Sequence, residues 1–428
     1  MIAAIASLSS SRAMSIASNK HLLKNFFSLG LVQVINSLLQ LLVIPYVISR
    51  IGVERFGVVA VAQVIMFYLA TLTDYGFNQT GTREVSINRD DPAALSAIYF
   101  RVLFSKGLLC CIAFVIFLLL TLIFPFIRQH FLLYLMAFLF VPGQAAVPSW
   151  FFQGLERMQL LAAVTLFSRL VFVALVFIFI KGPGDSSLFI FFLGAGNLLA
   201  GIIAMILASR MFRLVYQKIS FSEIKASLRE GWSVTVTNLS MNSIQYGNIF
   251  ILRLFTNDLV AGYYSVAEKI FFAMKQGLVV FSQSIYPRAC QLAGAGVGQL
   301  GQFFKKVFPA FFGVVVAGCI GVALLAPQIL YFFMKEGNAE AIFMLRMFCI
   351  ILPIVCLNIP GTTSLLALDR KKNYFTVYTS AALLCIIANI VLAGYYQARG
   401  TIAAIFITEV FITVGVSLPF RRMRAGGS

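Results

Sequence analysis

The 428 residues are 60% apolar and only 11% charged, with 43 Phe, a balance that excludes a water-soluble globular domain and reads as an integral membrane protein. The net charge of +18 comes from 33 Lys and Arg against 15 Asp and Glu. Two His and seven Cys, without metal-like spacing, support neither a zinc site nor a disulfide framework.

Residues 1–21 contain a short apolar run with no basic residue before it, and are expected to form a disordered extension rather than a cleaved signal. Crossing hydrocarbon takes about 20 apolar residues as a helix, because each backbone amide must find its partner inside the segment. Twelve such runs follow, at 22–48, 57–79, 95–124, 131–151, 159–180, 188–208, 230–252, 259–285, 306–330, 341–367, 373–396 and 400–420, with 421–428 as a tail. The expected fold class is all-α, with twelve transmembrane helices and both termini on one side. Twenty Lys and Arg lie in connections on the side of the termini and seven on the other, so positive-inside retention makes both termini cytoplasmic. This distribution accounts for most of the charge without nucleic acid. No outer connection exceeds about 15 residues, which leaves no room for a catalytic domain, so no catalytic residue is assigned and an enzyme is not expected.

Sliding the chain on itself by 205 residues aligns FGVVAVAQVIMF (56–67) with AGYYSVAEKIFF (261–272). The same shift sets Gln33 on Asn238, Ser37 on Asn242, Gln40 on Gln245, Gly57 on Gly262, Gln63 on Glu268 and Arg83 on Arg288. Six spans separate the copies, so the repeat is parallel, with an N-lobe at 22–208, a basic linker at 209–229 and a C-lobe at 230–420. Bundles of this kind are typically transporters with the path between lobes, an argument at the level of fold.

Span one carries Gln33, Ser37 and Gln40 on one face, and span seven carries Asn238, Asn242, Gln245 and Asn248. Such stripes line a wet path or hold helices together, and a path of amides and hydroxyls also suits sugar hydroxyls. Six basic residues fall inside spans: Arg101, Lys106, Arg169, Lys269, Lys275 and Arg346. Lys106 lies about a dozen residues into its span, roughly 18 Å deep, and Arg169, Lys269 and Lys275 are comparably deep. Only Asp74, Glu268 and Glu409 oppose them. Charge near mid-bilayer normally faces protein or water, and an excess of cations suits an anionic substrate. Trp150 is expected as an interfacial aromatic. Arg83 and Arg288, at the cytoplasmic ends of spans two and eight, suit both positive-inside retention and a first contact with an anionic headgroup.

The motifs PYVISRIGVERFGVVAVAQ (45–63), DYGFNQTGTREVSINRDD (74–91), SWFFQGLERM (149–158), GYYSVAEKI (262–270), QSIYPRACQL (283–292) and ITEVF (407–411) resemble those of the Wzx polysaccharide flippases, members of the multidrug and oligosaccharidyl-lipid exporter superfamily. The resemblance implies a MATE-like bundle of two six-helix lobes around a cationic cavity, in the bacterial inner membrane. It implies a polyprenyl-pyrophosphate-linked oligosaccharide substrate, turned from the cytoplasmic to the periplasmic leaflet. A polysaccharide polymerase and a chain-length regulator are the implied partners, and an H+ or Na+ gradient is the implied drive. On this reading Lys106, Arg169, Lys269, Lys275, Arg83 and Arg288 hold the headgroup, the two polar stripes face sugar, and Glu268, Asp74 and Glu409 are candidates for ion coupling. No metal and no other cofactor are expected. The alternative within the superfamily is an ion-coupled drug or metabolite antiporter.

Overall fold

The computed structural model describes residues 42–294 and 296–425, with side chains to Leu418. The N-terminal extension at 1–21, most of span one with Gln33, Ser37 and Gln40, and the side chains of the 421–428 tail lie outside the described residues. Every described element is helical.

In chain order these are α1 (Leu42–Ile51), α2 (Val53–Asp74), α3 (Phe77–Ile87), α4 (Pro92–Ile123), α5 (Pro125–Gln129), α6 (Phe131–Phe138), α7 (Phe140–Ala146), α8 (Ser149–Gly154), α9 (Met158–Phe179), α10 (Ser186–Met211), α11 (Phe221–Phe255), α12 (Asp258–Ala293), α13 (Val297–Leu324), α14 (Ala326–Met334), α15 (Ala339–Ala367) and α16 (Lys371–Ala425). The boundaries follow local chemistry. Asp91 accepts hydrogen bonds from the amides of Ala93 (2.9 Å) and Ala94 (3.0 Å), and Pro92 opens the first turn of α4. Pro125 cannot continue α4. Ser220 and Glu223 cap α11 reciprocally, and the Asn257 side chain accepts from the Val260 amide at 3.0 Å to start α12. α2 breaks from α3 where Tyr75 (φ 45°) and Gly76 (φ 73°) both adopt left-handed backbone. α16 breaks at Gln397, whose φ of 52° is not helical.

Eight helical stretches among the described residues are long and apolar enough to cross a membrane, taking α2–α3 and α6–α8 each as one. The chain is therefore a multi-pass membrane protein. α11 and α12 are equally long, at 35 and 36 residues, but too polar for that group. Gln245 of α11 and Glu268, Lys269, Lys275 and Gln276 of α12 face the site described below.

Helices α2 to α10 pack among themselves, as do α11 to α16, and the two sets meet chiefly where α2 and α4 lie against α11 and α12. α2 sits at the centre, with Val59, Val61 and Ala62 fully buried. α4 and α13 instead expose Leu119, Leu122, Ile123, Val314 and Leu324, the apolar face expected toward lipid. Trp150, expected as an interfacial aromatic, is packed within the protein: it is 2% exposed, tilted against Tyr99 and edge-on to Phe151. Gly81, whose missing Cβ leaves the space, lets α3 come down on the indole.

Candidate substrate cavity

Near their first turns α2 and α12 cross at Gly57 and Gly262, where a Cβ on either residue would overlap backbone of the other helix. Past that crossing the helices separate, and a cavity of about 560 Å³ lies between the two sets. α2 contributes Gln63 and Phe67, α7 Gln144, α9 Arg169, α10 Asn197, α11 Gln245 and Tyr246, and α12 Glu268, Lys269, Phe272, Lys275 and Gln276.

Helical geometry decides which α12 groups face inward. Residues 268, 272, 275, 276 and 279 recur at three- and four-residue spacing and so share one face, all of it on the cavity wall. Lys269 is turned about 100° from Glu268 and points at α2. Its ammonium donates to Gln63 Oε1 at 3.4 Å and stands 5.8 Å from the centre of the Phe56 ring. Glu268 is 7% exposed and accepts the Tyr264 hydroxyl proton in a hydrogen bond. Lys275 lies 5.9 Å from the Phe271 ring centre. On the far wall α9 is fixed to α10 by Ser168 Oγ, which donates to the Gly196 carbonyl at 2.5 Å, and this orientation presents Arg169 to the cavity. Among the described residues, three cationic side chains and one acid line the space.

Apart from Gln245, the other expected site residues among the described ones lie elsewhere. Lys106 is not a cavity cation: it is 2% exposed, and its Nζ bonds Asp74 Oδ1 at 2.8 Å. Asp74 Oδ2 also accepts from Asn78 Nδ2 at 2.7 Å, and Asn78 Oδ1 accepts from Ser149 Oγ at 2.5 Å, so the pair ties α2, α3, α4 and α8 together. A lysine placed among apolar side chains needs an opposite charge, and Asp74 supplies it. Asp74 is thus engaged in a structural pair rather than facing the path. Arg101 is similarly taken by Glu84. Arg83 is exposed on α3, beyond the break that ends α2, and Arg288 is exposed on α12, donating to Gln291 Oε1 at 3.0 Å; neither lines the cavity.

Of the α11 stripe, Gln245 alone reaches the cavity wall, with its Nε2 donating to the Tyr246 hydroxyl at 2.8 Å. Asn242 joins α11 to α2, its Nδ2 donating to Thr71 Oγ1 at 3.2 Å and its backbone carbonyl accepting from the Tyr68 hydroxyl at 3.3 Å. Asn238 is half-buried one turn earlier and away from the cavity. Glu409 is 6% exposed between α15 and α16, accepting from Asn358 Nδ2 at 3.0 Å, outside the cavity wall. Gln144, Asn197 and Gln276 line the cavity without having been singled out from sequence. The available signal was an amide inside an apolar run, the same one that drew attention to Gln245.

Residues 22–293 match the family described as polysaccharide biosynthesis protein. A relative from Escherichia coli (strain K12) named "Putative O-antigen transporter" is 27% identical over 396 residues, covering 91% of this chain and 94% of its own. Among solved structures, an inward-facing multidrug resistance MATE family transporter of the MOP superfamily aligns with a TM-score of 0.68 at 15% identity, covering 91% of this chain and 95% of that one. The lipid II flippase MurJ in an inward closed conformation aligns with a TM-score of 0.67 at 14% identity, covering 91% and 87%. The fold is thus that of MATE and MurJ.

Proposed function

The chain belongs to the polysaccharide biosynthesis protein family, and within it we propose a flippase that turns a polyprenyl-pyrophosphate-linked oligosaccharide repeat unit from the cytoplasmic to the periplasmic leaflet. The observation that carries this reading is the charge of the cavity, where, among the described residues, Arg169, Lys269 and Lys275 stand with one acid, Glu268. A pyrophosphate bound there offsets the surplus, whereas a cationic drug meets repulsion. That weighs against the drug or metabolite antiporter that the same fold also hosts. The names of the O-antigen transporter relative and of the lipid II flippase support a lipid-linked glycan as cargo.

On this reading the headgroup sits among the three cations, the amides of Gln144, Asn197, Gln245 and Gln276 meet sugar hydroxyls, and the polyprenyl chain stays in lipid. Transport rather than bond chemistry is the activity. Counting α11 and α12, dividing α16 at Gln397 and adding the helix that ends at Ile51 raises the eight apolar stretches to twelve. We assign these to lobes at 22–208 and 230–420 joined by the 209–229 linker, in the bacterial inner membrane with both termini cytoplasmic. The contact at Gly57 and Gly262 then closes the periplasmic end, and the cavity is loaded from the cytoplasm. An H+ or Na+ gradient as drive, and a polymerase and chain-length regulator as partners, belong to the same proposal.

The test is reconstitution. Proteoliposomes holding the protein should move a fluorescent polyprenyl-pyrophosphate oligosaccharide between leaflets. Failure to do so, with uptake of a cationic dye in its place, would refute the flippase and favour the antiporter.

A further inference from the structure

At the end where α2 and α12 touch, the α11–α12 corner faces the α5–α6 turn of the other set. Arg253 donates through Nε to Asp258 Oδ1 at 2.6 Å and through Nη2 to Oδ2 at 3.1 Å, while Nη1 reaches the Thr256 carbonyl at 2.9 Å. Across the junction, the Arg253 guanidinium lies 4.8 Å from the centre of the Phe126 ring, and His130 Nε2 lies 3.9 Å from Asp258 Oδ2. Tyr134, one turn beyond His130, is 1% exposed with its hydroxyl unpartnered. The Asp258 carbonyl is also the atom that Gly57 packs against. Arg253 and Asp258 of one set are thus clasped by Phe126 and His130 of the other, with Tyr134 buried one turn behind them.

We propose that His130 is a proton-binding site whose occupation releases this clasp, letting the two sets separate at the end that the orientation given above makes periplasmic. The inference rests on that orientation and on no particular substrate. Asp258 already accepts two bonds from Arg253, so an imidazolium at His130 would share that carboxylate with a guanidinium. Burial pushes the His130 value below that of an ordinary histidine. Asp258 opposes that shift, Arg55 and Arg253 add to it by repulsion, and the exposed Glu54 opposes it weakly. Once the sets part, His130 meets water and returns to the ordinary range. A histidine whose value is lowered in the closed state stabilises that state above the ordinary range, and the contribution is lost as pH falls through it. Acid on the periplasmic side therefore opens the clasp, with the imidazole taking its proton from bulk water.

The chain has two histidines, His21 and His130, which keeps the experiment simple. Nitroxide labels at Lys181→Cys and Gly337→Cys, exposed positions beside this junction, report the separation of the sets in nanodiscs once the exposed Cys111 and Cys290 are replaced. Without substrate, the long-distance population should rise several-fold from pH 8 to pH 5.5, capped at about tenfold for each pKa unit between the closed and open states. His130→Asn should abolish the rise. Should that variant not fold, Arg55→Gln removes a repelling cation and should move the midpoint to higher pH. A profile retained in His130→Asn, an unmoved midpoint in Arg55→Gln, or closure on acidification overturns the proposal. Because no substrate is present, any of these leaves the flippase reading standing. Failed translocation in proteoliposomes leaves the clasp untouched.

Discussion

Gly57 and Gly262 touch backbone to backbone across the two halves of the chain. A Cβ built on Gly57 would stand 2.7 Å from the Gly262 amide nitrogen and overlap the Asp258 carbonyl, and one on Gly262 would overlap the Val53 carbonyl. These glycines are also equivalent under the 205-residue repeat. The two copies therefore meet at the same residue, as helices crossing close to a twofold-like axis must.

That crossing leaves no room for a side chain. Gly57→Val and Gly262→Val should each weaken the closed arrangement by about 1–3 kcal/mol, the usual cost of overpacking. The check is the Lys181–Gly337 label distance at pH 8, expected to lengthen in both variants. An unchanged distance would mean that the glycines do not set closure.

The Lys106–Asp74 pair should behave as structure. Lys106→Ala or Asp74→Ala alone leaves a charge without its partner and should cost about 3–5 kcal/mol, whereas the double variant Lys106→Met, Asp74→Leu should recover much of that. Thermal unfolding in detergent measures the cycle. If Lys106→Ala keeps full thermal stability yet stops transport, the lysine belongs to the substrate path after all.

The cavity cations should behave in the opposite way. Arg169→Ala, Lys269→Ala and Lys275→Ala should leave protein level and melting temperature near wild type while lowering surface polysaccharide in a flippase-deficient strain. Losing one charge-assisted contact at about 1.5–3 kcal/mol corresponds to roughly 10- to 100-fold in headgroup affinity. Lys275→Arg should retain most activity. Wild-type polymer from all three alanine variants would remove the cavity assignment.

Asn358 should matter through Glu409. Asn358→Leu takes away the 3.0 Å donor to a carboxylate that is 6% exposed, at a cost of about 1–3 kcal/mol. Adding Glu409→Gln should restore part of the melting temperature. The absence of any rescue would mean that the loss comes from packing of the leucine.

Much of the fold is legible in the one-dimensional pattern. The runs at 95–124 and 159–180 correspond to α4 (Pro92–Ile123) and α9 (Met158–Phe179), because apolar length, caps and proline are local properties. The gap between 373–396 and 400–420 falls at the break at Gln397. Trp150 was not legible. An aromatic beside a helix end looks interfacial until Gly81, 69 positions earlier in the chain, is brought beneath it.

Membrane-crossing helices, a 205-residue shift that aligns the two halves, and an excess of cations over acids within the expected spans are all readable from the residues in order. Each is a property of composition or spacing. What each charge does depends on packing, which brings Asp74 to Lys106 from 32 residues away and Gln63 to Lys269 from 206. The cause is the short range of charge compensation. In a weakly screening interior, a charge is compensated by whatever opposite group stands within about 4 Å, and helix packing alone sets that neighbour. Lys106 and Lys269 look alike in the sequence, yet one is bonded to a carboxylate, whereas the other donates to a neutral amide, stands over the Phe56 ring and lines an open cavity.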